Sequence, residues 1–136
     1  KEVGERLAAT AGDMSLLSVS VQMYATVTLH DYVPPQSFWP APQVGSIIVS
    51  IIRDNHYLQK LEKVGITEKV FFRVVKIGFS AKRKMLHANL RSGLRLSKEI
   101  ILSAFKKAQI NENVRAQELR LEDWLKLIAA LQEYMV

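Results

Sequence analysis

The chain has 136 residues, 49% of them hydrophobic, and it contains no cysteine. This length fits one compact domain, or one small domain with a piece of another, and the apolar content excludes a largely disordered chain. The lack of cysteine excludes a disulfide framework and agrees with a reducing cytosol. No apolar run reaches the ~20 residues that cross a bilayer. We therefore expect a cytoplasmic protein without a membrane partner.

The net charge of +6 is concentrated in the middle of the chain. Residues 53–98 hold twelve Lys/Arg and three Asp/Glu, a net +9, whereas residues 1–52 (two against four) carry −2 and residues 99–136 (five against six) carry −1. Clustering of this kind favours a polyanionic partner. The alternative is a solvated basic face that binds nothing.

Two short helices and two strands are predicted at the start of the chain. Residues 2–9 and 15–23 have helical patterns, and the β-branched segments Tyr24–Val33 and Val44–Ile52 are typical of strands. Two antiparallel strands with two helices make a marginal unit by themselves. The sequence therefore predicts the edge of a larger sheet.

All four prolines lie between these strands, in the stretch PPQSFWPAP, together with Phe38 and Trp39. Proline stiffens a loop and holds an aromatic ring at low entropic cost. We expect one ring to fill a core and the other to offer a stacking surface to an extruded nucleobase.

From Thr67 onward the pattern predicts a small helical bundle. Thr67 and Ser97 are expected N-caps, one helix is expected to begin at Lys82, and the last helix is expected from Glu122 to Tyr134 with Trp124 inward. The preceding polar segment, residues 53–65, is predicted to hold no more than a helical turn at residues 57–61.

The residue spacing indicates no complete active site. The six glycines are too far apart for a nucleotide-binding loop, the three histidines have no metal-ligand spacing, and no nucleophile elbow or carboxylate pair is present. We therefore predict no catalytic residue and no metal in this chain.

Lys82, Arg83 and Lys84 form a dense basic element, which we expect to open a helix that continues through His87 and Arg91. Helical spacing would place Arg83, His87 and Arg91 along one side. Cations at a helix N-terminus oppose the macrodipole and repel one another, which favours a role in phosphate binding over one in stability. The alternative is a solvated helix start.

Five stretches resemble the small-subunit ribosomal RNA adenine dimethyltransferases, in that family's order. They are KEV with ERL at the start, LSV with VQ, VPPQSFWPAPQVGS, FRVVKIGFSAKRKMLHANL, and a tail with NVRA and EL. Together they cover nearly the whole chain. Gly45 and Leu16 depart from the family pattern, where Asp and a basic residue are usual, as do Met85 and Arg120.

The resemblance implies an α/β edge fragment followed by an all-α bundle. Residues 1–53 would be the last two strands, with two helices, of a Rossmann-like domain that binds S-adenosylmethionine, and residues 54–136 a helical RNA-binding domain. The cofactor loop and catalytic motif would lie upstream of Lys1, so no cofactor is expected on this fragment. The parent enzyme would methylate two adjacent adenosines of small-subunit rRNA, and the fragment would bind rRNA without catalysis.

The resemblance also implies site residues: Phe38, Pro40 and Pro42 in a target-base pocket, and Lys82, Arg83 and Lys84 at the rRNA. From the proline loop itself we add Trp39 to the expected pocket. From the basic middle of the chain we add Arg73, Lys76, Asn89 and Arg91 to the expected rRNA contacts.

Three other readings stay open. The parent could be a relative that methylates large-subunit rRNA, which shares the proline loop but matches the basic helix and tail less well. The chain could be a non-catalytic RNA-binding or ribosome-assembly module. It could also be a helical protein-interaction domain with an acidic partner.

Overall fold

A computed structural model describes residues 1–41 and 43–135 of the chain. Within these residues the fold is a two-stranded antiparallel sheet and seven α-helices. The elements, in chain order, are α1 (Glu2–Leu7), α2 (Leu16–Gln22), β1 (Ala25–Val33), β2 (Ser46–Arg53), α3 (His56–Lys63), α4 (Glu68–Gly78), α5 (Leu86–Leu94), α6 (Lys98–Lys107) and α7 (Leu121–Leu131). Single 3₁₀ turns lie at Pro35–Ser37, Ala116–Glu118 and Gln132–Tyr134.

The two predicted strands form a hairpin joined by the proline loop. Thr28 pairs with Ser50 and Leu29 with Val49, and the register changes between Leu29 and Tyr32. Helix α1 covers one face closely, because a Cβ on Gly4 would come within 2.7 Å of the Val49 side chain. The absence of a side chain at Gly4 therefore allows α1 to lie directly on the sheet.

Local capping explains where three helices begin. Ser15 accepts a hydrogen bond from the amide of Ser18 at 3.3 Å, and Ser18 Oγ accepts one from the amide of Ser15 at 2.8 Å. Thr67 and Ser97 accept from the third residue of α4 and of α6. Each cap satisfies an amide that the first helical turn leaves without a partner. The two predicted N-caps, Thr67 and Ser97, are confirmed.

The core is formed mainly by helices α4 to α7. Phe71, Phe105 and Trp124 are at most 1% exposed, and the predicted inward face of α7 is buried. Val19 of α2 and Met23, the residue after α2, are also fully buried and belong to the same apolar cluster. The cluster therefore continues across residue 53, and the domain division there stays a prediction.

Two predicted helix bounds were wrong. The segment expected to hold at most one turn is the full helix α3. The helix expected to begin at Lys82 begins at Leu86, because residues 81–84 form a turn in which the Lys84 amide donates to the Ala81 carbonyl at 3.1 Å. Arg83 consequently lies outside the helix, so helical spacing no longer aligns it with His87 and Arg91.

Candidate nucleic-acid interface

The basic turn, which we define as Lys82, Arg83 and Lys84, connects α4 to α5. All three side chains are exposed. Two residues after Lys84, Leu86 is fully buried, and its amide donates to the Val114 carbonyl at 2.9 Å. The turn is thus attached to the core within two residues of its last cation.

Asn89 braces the basic turn from beneath. Its side chain is only 5% exposed, and its Nδ2 donates to the carbonyls of Gly78 at 3.0 Å and Ala81 at 3.1 Å. The amide thereby joins the last residue of α4 to the start of the turn. Because both amide protons are used inside the protein, we revise the expectation for Asn89 from RNA contact to positioning of the turn.

Tight packing at the end of α4 also fixes the turn. A Cβ on Gly78 would lie 2.6 Å from the Trp124 ring and 2.9 Å from the Leu86 side chain. The ring of Phe79 lies 5.8 Å from that of Trp124, centroid to centroid. This close approach leaves space only for glycine where α4 meets α7.

The other predicted RNA contacts lie on the helices that flank the turn. Arg73 and Lys76 on α4 and Arg91 on α5 are exposed. Lys69 is exposed as well, and its spacing of four and seven residues from Arg73 and Lys76 places all three on one face of α4. The sequence analysis missed Lys69, although the spacing alone could have indicated it.

None of these cations is neutralised by a neighbouring carboxylate. In residues 1–41 and 43–135 the ion pairs are Lys1–Glu5, Lys107–Glu133 and Arg120–Asp123, and none includes a residue of the basic turn or of the α4 face. Exposed and uncompensated, the cations are available to a polyanion, whose binding would release its condensed counterions.

A cleft of about 840 Å³ lies beside the turn. Lys76 and Lys82 line it together with Arg6 of α1, and Leu16 and Phe79 add apolar surface. The structure therefore brings Lys76 and Lys82 together and adds Arg6, which the sequence analysis quoted only as part of a motif. The residues of the proline loop do not line this cleft.

The proline loop presents its aromatic rings to solvent. Phe38 is 42% exposed and Trp39 is 97% exposed, so the expectation that one of them fills a core was wrong. The core is formed by the helices, and the loop lies beyond the end of a two-stranded sheet, where the described residues offer no interior to fill. Pro40 follows a cis peptide bond and is exposed. Pro42, the fourth predicted pocket residue, lies outside the described residues.

Gly45, which replaces the expected Asp, is buried against Tyr32. The Tyr32 ring occupies the space that a side chain at position 45 would need. The ring also lies under the ammonium of Lys1, 5.0 Å from its centroid. The departure at Gly45 therefore has a local structural reason.

The described residues contain no cluster of three His, Cys, Asp or Glu side chains that could hold a metal ion. No helix among them is long and apolar enough to cross a membrane.

Comparison with solved structures places the fold among methyltransferases. A dimethyladenosine transferase from Plasmodium falciparum superimposes with a TM-score of 0.76 and 24% identity, over all of this chain and 56% of the other. The 23S rRNA methyltransferase ErmE gives a TM-score of 0.69 and 21% identity, over 96% of this chain and 51% of the other. The small sheet and its helices therefore form a partial methyltransferase fold.

Sequence comparison identifies the family. The ribosomal RNA adenine dimethylase family matches residues 1–133, and the chain belongs to this family. Ribosomal RNA small subunit methyltransferase A of Dehalococcoides mccartyi is 39% identical over 127 residues, which are 93% of this chain and 42% of that protein. The protein of the same name from Desulfitobacterium hafniense is 37% identical over 135 residues, 98% of this chain and 47% of that protein. The chain thus spans less than half the length of these curated relatives.

Proposed function

We propose that this chain is the rRNA-binding, C-terminal part of a dimethyltransferase that modifies two adjacent adenosines of small-subunit rRNA in the cytoplasm. Family membership and the names of the relatives support the reaction class and the small-subunit substrate. The observation that carries the binding role is the uncompensated cationic surface formed by the basic turn and the α4 face.

The proposed domain division places residues 1–53 at the margin of the catalytic domain and residues 54–136 in the helical domain. The exposed apolar surface of β2 supports this division, because Ile48, Ile51 and Ile52 are 52–63% exposed. A two-stranded sheet with such a surface is marginal in water. Further strands and helices of the catalytic domain would cover these isoleucines.

The described residues do not fit S-adenosylmethionine, which the family implies for the whole enzyme. A cofactor loop needs clustered glycines between a strand and a helix. The two glycines with positive φ, Gly12 and Gly65, each connect two helices and are far apart in the chain. The parent would supply this site elsewhere, and we expect the isolated chain to bind rRNA without methylating it.

The proline loop would contribute to the target-base pocket of the parent. Phe38 and Trp39 are both exposed enough to contact an extruded adenine, and prolines on either side restrict the backbone that carries them. In that arrangement the loop would contact the base, while the basic turn would hold phosphates of the folded rRNA.

The binding role is tested by the salt dependence of rRNA affinity. The Lys82→Ala/Lys84→Ala variant removes two exposed charges from the basic turn, and Lys98→Ala/Lys106→Ala removes two exposed charges from α6. Each lost phosphate contact reduces the slope of log affinity against log salt by about 0.7–0.9, so the first variant should lose about 1.4–1.8. The α6 variant should keep the wild-type slope. Equal slopes for wild type and the basic-turn variant would exclude these lysines from the interface.

A further inference from the structure

A second basic surface lies between α3 and α7. We call it the α3/α7 groove, and its volume is about 520 Å³. Its floor is aliphatic, formed by Val64, Leu125 and Ala129. Five cations line it: Lys60, Lys63, Lys107, Arg120 and Lys126. Among the described residues, Glu122 is the one carboxylate in the lining.

Part of this positive charge is compensated and part is free. Arg120 pairs with Asp123 at 3.3 Å, and Lys107 pairs with Glu133 at 3.6 Å. Within residues 1–41 and 43–135, by contrast, Lys60, Lys63 and Lys126 form no ion pair. Even when Asp123 and Glu133 are counted with Glu122, the five cations exceed the three carboxylates, so the groove keeps a net positive charge.

Glu122 is held on one side of the groove by Tyr57. The Tyr57 hydroxyl donates to Glu122 Oε1 at 2.7 Å. Burial alone would raise the pKa of Glu122, but this hydrogen bond, together with its own backbone amide, Arg120 and Lys60, lowers the pKa instead. Glu122 is therefore satisfied mainly by Tyr57, and within residues 1–41 and 43–135 it forms no ion pair with Lys60, Lys63 or Lys126.

The groove and the basic turn lie on different sides of α7. Trp124 points toward the end of α4 and the turn, whereas Lys126 lines the groove. Two residues along an α-helix correspond to about 200° of rotation, so these side chains leave α7 in nearly opposite directions. A ligand in the groove would not need to contact Lys82 or its neighbours.

We propose that the α3/α7 groove binds an acidic amphipathic helix of a partner protein. Charge complementarity selects acidic side chains for the lysine rim, and the aliphatic floor selects apolar side chains on the other face of the same helix. None of the described residues that line the groove is aromatic, so it offers no ring on which a nucleobase could stack. This proposal does not depend on the proposed rRNA function.

The test uses the 136-residue chain and a labelled peptide of about 14 residues, long enough for three to four helical turns. The peptide carries Leu at helical spacing and Glu at the remaining positions, and a scrambled peptide has the same composition without the spacing. Fluorescence anisotropy measures both affinities. The groove variants are Lys60→Glu/Lys126→Glu, which alters the exposed rim, and Val64→Asp, which alters the 45%-exposed edge of the floor. The charge-matched control is Lys82→Glu/Lys84→Glu.

We expect saturable binding of the amphipathic peptide, at least about fivefold tighter than that of the scrambled one. Both groove variants should weaken it about tenfold, and the control should not change it. Equal binding of the two peptides would reduce the effect to nonspecific charge attraction and overturn the proposal. Absence of saturable binding would overturn it as well. If an rRNA hairpin displaced the peptide, and the groove variants no longer bound that hairpin, the groove would be assigned to RNA instead.

Discussion

Removal of the Asn89 side chain tests how the basic turn is held in place. Asn89→Ala leaves the Gly78 carbonyl without the side-chain amide that donates to it at 3.0 Å. It also removes one of the two donors to the Ala81 carbonyl, which still accepts a hydrogen bond from the Lys84 amide. An unsatisfied buried acceptor costs about 1–3 kcal/mol and the loss of a shared bond about 0.5–1.5 kcal/mol. The higher helix propensity of Ala offsets about 0.5 kcal/mol. The free energy of unfolding should therefore fall by about 1–4 kcal/mol.

Urea denaturation followed by circular dichroism measures this change, with Asn113→Ala as the matched control. Asn113 is exposed, and its side chain forms no hydrogen bond among the described residues, so its replacement should change the free energy of unfolding by less than about 0.5 kcal/mol. Asn89→Asp provides a second check, because a carboxylate in this position faces two carbonyl oxygens and cannot donate. Its destabilisation should exceed that of Asn89→Ala at neutral pH and should shrink at acid pH, where the protonated carboxyl can donate one bond. Equal stability of Asn89→Ala and Asn113→Ala would refute the bracing role.

Three further changes test the packing, the ionisation and the capping. Gly78→Ala should lower the free energy of unfolding by about 1–3 kcal/mol, because its Cβ would lie 2.6 Å from the Trp124 ring; an unchanged melting temperature would show that the ring moves aside easily. Three effects raise the pKa of Tyr57 from 10.0 to about 12: burial, the hydrogen bond to Glu122 and the negative charge of Glu122. The stability that this hydrogen bond contributes should therefore be present below pH 10 and lost between pH 10 and about 12. In ultraviolet titration, Tyr57→Phe should remove the component near pH 12, and a titration unchanged by Tyr57→Phe would contradict this. Ser15→Ala should cost about 0.5–2 kcal/mol in urea denaturation because it removes the α2 cap, and a wild-type midpoint would contradict the capping assignment.

Local sequence signals predicted the helices with polar caps and periodic apolar faces. Thr67 and Ser97 precede such faces, and Trp124 belongs to a stripe that only a helix can bury on one side. The β-branched content of β1 and β2 likewise predicted both strands. For these elements local preference and tertiary burial agree.

The misplaced start of α5 has a different cause. Met85, the residue before the helix, provides no side-chain cap, so nothing in the sequence marked the boundary. The turn forms there because Asn89 bonds two carbonyls and Leu86 bonds Val114, contacts between residues that are separate in the sequence. Such contacts depend on the folded structure and could not be predicted from local pattern.

The aromatic residues of the proline loop show the limit of composition as a guide to burial. Apolar rings are usually buried, and this led to the expectation that Phe38 or Trp39 would fill a core. Burial, however, requires a second layer over the sheet at that point, and the described residues provide none. The free cations were easier to predict, because clustered charge in the sequence leads to exposed charge in the fold.

Methylation of isolated ribosomal subunits tests the proposed function most directly. The full-length protein that contains this chain would be incubated with labelled S-adenosylmethionine and with small or large subunits in separate reactions, and the 136-residue chain alone would serve as the control. We predict label in two adjacent adenosines of small-subunit rRNA, none in large subunits, and none with the chain alone. Label confined to large-subunit rRNA would contradict the small-subunit assignment, and label with the chain alone would contradict the placement of the methyl-donor site outside it.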